Sequence, residues 1–371
     1  MHPHVHKFSR YYGNYRLSGI QNLFIFVACI IQGKTVNLYD LRDEVGKISE
    51  KHNSKSDSHY KRLTRFLTLF SPTMLWSSIL CYGLDLLGKD LSLCYVDATE
   101  WSIGTFNLHV LVLSVDYKGV AIPVYFKVYA HKGVLSESKR IEFIALAYQS
   151  CSLKHSTIVA DREFIGNDWF TNFSAYSLNF VIRIRKGMYK HNLTAHRPYE
   201  SLQKRAFKKG RASSMIRLNN QDFRLWILKN SSKTEQEPLI YLLTNILDKR
   251  NVTDLYHLRW RIEYLFKHLK TNGYNLEDLR VTNLDKIRLL IAMVILAYIV
   301  SVLTALQERK TKPVKKKIYG LGLTFDAISV FKQGQSLLKQ AFISLRRFLD
   351  IIQFVNIPIC SPLPFNKSNV Q

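Results

Sequence analysis

The 371-residue sequence predicts an α/β protein with a mixed β-sheet at its centre, and three observations predict it. Apolar residues recur with helical spacing up to about residue 88 and with strand spacing from Leu91 onward. Three strand patterns then follow one another before helices and strands begin to alternate. With 47% hydrophobic residues and a length beyond the usual single domain, the chain can bury a large core in two or three folding units.

The helical region, 1–88, contains NLYDLRDEVGKISEKHNSKSDSHYKRLTRFLTLF. An apolar-periodic segment is followed by a polar break from His52 to Ser58, then by a second helix over 56–70 carrying His59, Lys61, Arg62 and Arg65. This spacing suits a helix-turn-helix whose second helix meets DNA, and it suits an ordinary basic surface helix equally well.

LSLCYVD is a short apolar run ending in Asp97. LHVLVLSV and VAIPVYFKVY form a hairpin through the turn Asp116-Tyr117-Lys118-Gly119. SESKRIEFIALAYQ is a helix opened by Ser136 or Ser138, and STIVAD is a buried strand ending in Asp161. GNDWFTNFSAY is a second helix and NFVIRIR a further strand. Three strands, helix, strand, helix, strand is the order of an RNase H-like core, assigned to 89–185 and resumed over 251–308. Between them, 186–250 reads as a β-rich insertion with the basic run KRAFKKGR and strands at FRLWILKN and PLIYLLTN. Beyond it, 309–371 is a basic linker, with ERKTKPVKKK and Pro313 at the boundary, and a helical piece containing SLLKQAFISLRRFLDIIQFV.

Fifty-three Lys and Arg against 28 Asp and Glu leave a formal charge of +25, spread along the chain. A polyanion is the implied partner, nucleic acid ahead of an anionic membrane surface. Cys29, Cys81, Cys94, Cys151 and Cys360 have no zinc-type spacing, and their odd number suits buried thiols in a reducing compartment. His2, His4 and His6 read as solvated residues of an untethered terminus rather than a metal site. LFIFVACII at 23–31 is short and lacks a cleavage site, so no secretory signal is apparent. Leu289 to Leu306 is the only stretch of transmembrane length. Ser301 and Thr304 within it favour a buried helix over a membrane span.

The chemistry is concentrated in YHLRWRIEYLFKHLK, residues 256–270. On one continuous helix, Tyr256, Arg259, Glu263 and Lys270 fall within a sector of roughly 60°. Leu258, Ile262, Leu265 and Leu269 form the adjoining core side. An aspartate at a strand end is usually a turn or cap residue. Two of them, Asp97 and Asp161, on strands that can lie side by side, together with a helix-borne Glu263, can instead converge and hold two hard cations through oxygen. Such a pair acts on phosphodiesters, and Arg259 and Lys270 supply positive donors for phosphate oxygens.

The spacing Tyr256-x2-Arg259-x3-Glu263-x6-Lys270 resembles the Tyr-Arg-Glu-Lys signature of bacterial insertion-sequence transposases of the insertion sequence four family, cut-and-paste enzymes with a DDE active site. YVDATEWSIG, with Thr99, Trp101 and Gly104 after Asp97, is similar to the block around the family's first aspartate, and IVADREFIGNDWF to the block around its second. HYKRLTRFL resembles the N-terminal region, so the likeness spans about 55 to 285.

The resemblance implies that Asp97, Asp161 and Glu263 are catalytic metal ligands for two Mg²⁺ ions, with Mn²⁺ a possible substitute. It implies that Tyr256, Arg259 and Lys270 hold the terminal phosphate of the element end. The clustered Lys61, Arg62 and Arg65 after the polar break, and Arg162 next to Asp161, are expected as further DNA contacts. Some relatives trap a flipped base on an aromatic residue of the insertion, and Trp226 is a candidate here, with packing inside the FRLWILKN strand as the favoured reading. The implied partners are double-stranded DNA, both terminal repeats and target, and a second copy of the chain in a paired-end complex. The implied setting is the bacterial cytoplasm. A catalytically inactive relative acting as a DNA-binding regulator is the alternative, and the complete triad argues against it.

Overall fold

The structure is a computed structural model and describes residues 2–49, 53–88, 90–194, 198–230, 237–248, 252–318, 324–341 and 344–355. Cys360 lies outside the described residues.

Five helices come first: α1 (Pro3–Tyr11), α2 (Leu17–Gly33), α3 (Leu38–Ile48), α4 (Ser56–Phe70) and α5 (Leu75–Leu87). The central element of this region is α2, whose run from Leu23 to Ile31 is buried throughout. Asn37 caps α3 by accepting the Tyr39 N–H, as expected for a short polar side chain at an N-cap. The terminus is not untethered: α1 packs on α2, His4 is buried with its Nδ1 3.3 Å from the Tyr82 hydroxyl, and His2 pairs with Asp350. Val5 and Phe8 supply the apolar face that draws the histidines in.

The sheet follows. β1 (Leu93–Ile103), β2 (Phe106–Tyr117) and β3 (Val120–Tyr129) form an antiparallel meander. Its second turn is the two-residue connection Lys118-Gly119, with φ of +49° and +85°, the positive-φ pair a tight hairpin requires. Next come α6 (Glu137–Cys151), β4 (Thr157–Ala160), α7 (Asn167–Ala175) and β5 (Asn179–Ile184), with β4 and β5 parallel to β1. The order β3-β2-β1-β4-β5 is that of an RNase H-like core. β1 runs past Asp97 to Ile103, where a strand ending at that aspartate was expected. Its later, partly polar half is held by antiparallel pairing to β2 alone, which demands no apolar run on both faces.

The segment expected to be an insertion contains α8 (Tyr199–Lys209), β6 (Arg211–Leu218), β7 (Gln221–Lys229) and β8 (Leu239–Thr244). Most of the basic run KRAFKKGR is therefore helix, with Tyr199, Leu202 and Ala206 facing the strands and Lys204, Arg205, Lys208 and Lys209 exposed. The strands extend the central sheet, because β8 pairs antiparallel with β5 to give the eight-stranded order β3-β2-β1-β4-β5-β8-β7-β6.

The expected single helix over 256–270 is two: α9 (Val252–His257) and α10 (Trp260–Lys270). Between them the backbone tightens into i→i+3 hydrogen bonds, Leu258 N to Leu255 O and Arg259 N to Tyr256 O. α10 packs on β3 and β1. α11 (Leu284–Thr311) is long and apolar enough to cross a membrane, and 89% of its most apolar window is buried inside the protein. It packs against α2, α5 and β3. The C-terminal region adds β9 (Lys316–Ile318), β10 (Thr324–Asp326), α12 (Val330–Ala341) and α13 (Leu345–Val355). α12 lies directly on α11: a Cβ at Gly334 would stand 1.7 Å from the Ser301 carbonyl oxygen, so only glycine permits this approach.

Candidate active site

Val96 of β1 is paired with Ala160 of the neighbouring parallel β4; Asp97 follows on β1 and Asp161 is the first residue past the end of β4. Each aspartate accepts the N–H of the residue after it, Ala98 N at 2.9 Å and Arg162 N at 2.8 Å, which fixes one carboxylate oxygen and turns the other outward. Glu263 is on the first turn of α10. The three carboxylates meet at one guanidinium. Arg259 Nη1 lies 3.3 Å from Asp97 Oδ2, and its Nη2 lies 3.8 Å from Asp161 Oδ2 and 2.6 Å from Glu263 Oε1. Tyr256 closes the group by donating its hydroxyl to Asp161 Oδ1 at 3.4 Å.

The electrostatics follow from burial. Burial pushes the Asp97 carboxyl up to about 6; Arg259 and the Ala98 N–H oppose this, and Asp161 and Glu263 add to it. Burial works against the Arg259 charge, and Tyr256, Asp161, Asp97 and Glu263 together more than offset it, so the guanidinium is held firmly protonated. Burial pushes the Tyr256 hydroxyl up to about 12, with Asp161 adding and Arg259 and Arg183 opposing.

The donor set fits a hard divalent cation. Three carboxylates from three separate elements converge on one positive centre, and oxygen is the ligand Mg²⁺ and Mn²⁺ prefer. Among the described residues no three such side chains stand close enough to share one ion in their present arrangement. They share the guanidinium instead.

Other predicted residues fall at different distances from this centre. Lys270 is drawn toward the far end of β1, where its Nζ donates to the Glu100 carbonyl at 2.8 Å and pairs with Glu277 at 3.0 Å. Arg162 pairs with Glu237, which also holds the buried Arg183 at 2.9 Å. Lys61 and Arg65 are exposed on α4, whereas Arg62 is half-buried and its Nε donates to Asn22 at 2.8 Å, which makes it part of the helical packing. Trp226 is 6% exposed, a packed residue of β7, which is where the strand-packing reading puts it rather than on an open surface.

Several residues were missed. Glu163 lines a cleft of about 320 Å³ together with Asp97, Asp161, Glu100 and His109. Burial pushes its carboxyl up to about 7, Asp97 and Asp161 adding to the shift and Arg140 opposing it. It stands two positions after Asp161 in Asp-Arg-Glu, so its proximity was legible. Trp260 and Tyr264 are more than half exposed on α10 beside Glu263. Their i, i+4 spacing off the Ile262, Leu265 and Leu269 stripe was the available signal.

With this geometry in place, the class is that of an RNase H-like fold bearing a three-carboxylate site. Residues 128–300 match the family model of the transposase DDE domain, a stretch that contains Asp161 and Glu263 and begins after Asp97. No curated protein matches the chain. Among solved structures, the piggyBac transposase synaptic complex with hairpin DNA is similar at 14% identity and a TM-score of 0.46, over 95% of this chain and 78% of that one.

Proposed function

We propose that this protein is a cut-and-paste DNA transposase of the insertion sequence four type, cleaving phosphodiesters at element ends and joining the freed 3'-hydroxyl to target DNA. The observation that carries this reading is the convergence of Asp97, Asp161 and Glu263 on one cation position. In it, those three side chains would hold two Mg²⁺ ions, or Mn²⁺ in their place. Bound divalent ions would activate the attacking oxygen and stabilise the leaving one in an in-line displacement at phosphorus.

The chain's own residues do the rest. Tyr256 and Arg259 orient the scissile phosphate, Arg as a bidentate fork. Lys270 and Arg162 contact the strand on either side. The 1–88 region recognises the terminal repeats through the exposed Lys61 and Arg65 of α4, and 186–250 acts as an insertion flanking the core. The substrate is double-stranded DNA, and the working assembly is a homodimer with two ends paired.

The test is mobilisation of a cloned element carrying candidate ends, with the wild-type gene or its Asp97→Asn, Asp161→Asn or Glu263→Gln variant supplied in trans, alongside end binding and Mg²⁺-dependent nicking of the same DNA. The wild type should move the element, and the variants should bind the ends and cut nothing. Nicking by Glu263→Gln at the wild-type rate would remove the triad assignment. Binding without nicking by the wild type itself would leave a DNA-binding regulator.

A further inference from the structure

The Arg259 guanidinium occupies the point on which all three carboxylates converge, within 4 Å of each. It is 8% exposed, so water does little to screen these contacts. Arg259 sits in the tight turn between α9 and α10 rather than within a regular helix. Its neighbours Ile262 and Leu265 anchor α10 in the core while the turn itself carries the guanidinium.

A divalent ion binds carboxylate oxygens at about 2.1 Å. Drawing Asp97, Asp161 and Glu263 in to that distance removes the space the guanidinium fills and sets two positive centres against each other. Metal and guanidinium are therefore alternatives at this point. An arginine leaving its carboxylates seeks another anion that offers paired oxygens, and phosphate is such a group.

We infer that Arg259 is a positioning residue with two stations: it is the internal counter-ion that gathers the three carboxylates, and it passes to the DNA phosphate as divalent ions take them over. This inference rests on the metal-dependent reading proposed above. Its consequence is linkage. Because each ligand favours the same displacement of Arg259, metal should tighten phosphate binding and phosphate should tighten metal binding by the same factor.

The experiment is Mn²⁺ titration of the full-length protein, followed by electron paramagnetic resonance, without DNA and with a short duplex, for wild type, Arg259→Gln, Arg259→Lys and Glu263→Gln. Thermal unfolding is followed in parallel. Without DNA, Arg259→Gln should bind Mn²⁺ about tenfold tighter than wild type, because the competing cation is gone. Its melting temperature should fall without Mn²⁺ and recover with it, and Arg259→Lys should restore both properties toward wild type. The duplex should tighten Mn²⁺ binding to wild type and not to Arg259→Gln.

Unchanged or weaker Mn²⁺ binding by a folded Arg259→Gln overturns the inference while leaving the metal site intact. Should that variant not fold, the wild type decides alone, and a duplex that leaves its Mn²⁺ affinity unchanged overturns the inference. Mn²⁺ binding that survives Glu263→Gln undiminished instead removes the metal-dependent reading on which it rests.

Discussion

Trp226 lies in the same cross-strand row as Asp161. The register Ala160↔Ile182 places Arg183 beside Asp161; Arg183 pairs with Leu242, and Leu242 with Trp226. Three strand spacings, roughly 14 Å, separate the two residues. The indole is thus on the row of Asp97 and Asp161 but enclosed, its Nε1 without a partner among the described residues.

Trp226→Ala should therefore act on stability. A buried tryptophan cut to alanine costs about 3–5 kcal/mol, and Trp226→Phe should cost less. Denaturant unfolding monitored by circular dichroism measures both. A stable Trp226→Ala protein that cleaves DNA but no longer forms hairpins would restore the base-trapping role.

Stability should fall in mild acid. The His268 ring is 4.6 Å from Phe331 and 6.2 Å from Tyr298, joining α10 to α12 and α11. Burial, with Lys332 and Lys267 adding, pushes His268 from 6.5 down to about 4, and burial, with His2 and Lys7, does the same to His4. The unfolded chain then binds more protons than the folded one between these values. The stabilisation is complete above pH 6.5 and lost as pH falls toward 4. The loss from His268 is up to about 3 kcal/mol. Melting temperatures across this range should show it, and His268→Phe should flatten the slope; an unaltered slope would mean that this imidazole is solvated.

Ala297 is fully buried on α11, and the Tyr274 hydroxyl donates to its carbonyl at 3.1 Å. Ala297→Asp should destabilise the protein by several kcal/mol, since it would bury a carboxylate in a helix whose residues from Leu289 to Leu303 are all buried. Soluble yield and thermal unfolding report the outcome. Recovery of the wild-type chain only from membranes would contradict the burial of this helix.

On α4, Lys61 and Arg65 face solvent and Arg62 does not. The Lys61→Ala, Arg65→Ala double variant should weaken end binding and shallow its dependence on salt by about two log-log units, one for each lost phosphate contact. Arg62→Ala should mainly loosen α2 against α4. Binding isotherms at several salt concentrations separate the two classes, and a salt slope unchanged in the double variant would place the end-binding surface elsewhere.

Much of the sheet was legible because its signals are local. VAIPVYFKVY coincides with β3, and the two-residue turn before it follows from Lys118-Gly119. Asp97 and Asp161 could be picked out because apolar runs stop at them, although only pairing to β2 reveals that β1 continues. The break before Trp260 was not legible: Leu258 and Arg259 are good helix formers, and the tight turn there accompanies the grip of two distant carboxylates, Asp97 and Asp161, on Arg259. The burial of His4 depends on Tyr82, 78 residues away, which no local pattern encodes.

Because β8 pairs with β5, the segment carrying β6, β7 and β8 cannot be treated as an exchangeable module. Excising it would leave β5, the strand next to Asp161, with a row of unpaired N–H and C=O groups open to any other chain. A chain trimmed in this way would thus tend to aggregate before it could be assayed. Chimaeras between this protein and others of its class should place their junctions outside β5 and β8, keeping that strand pair from one parent.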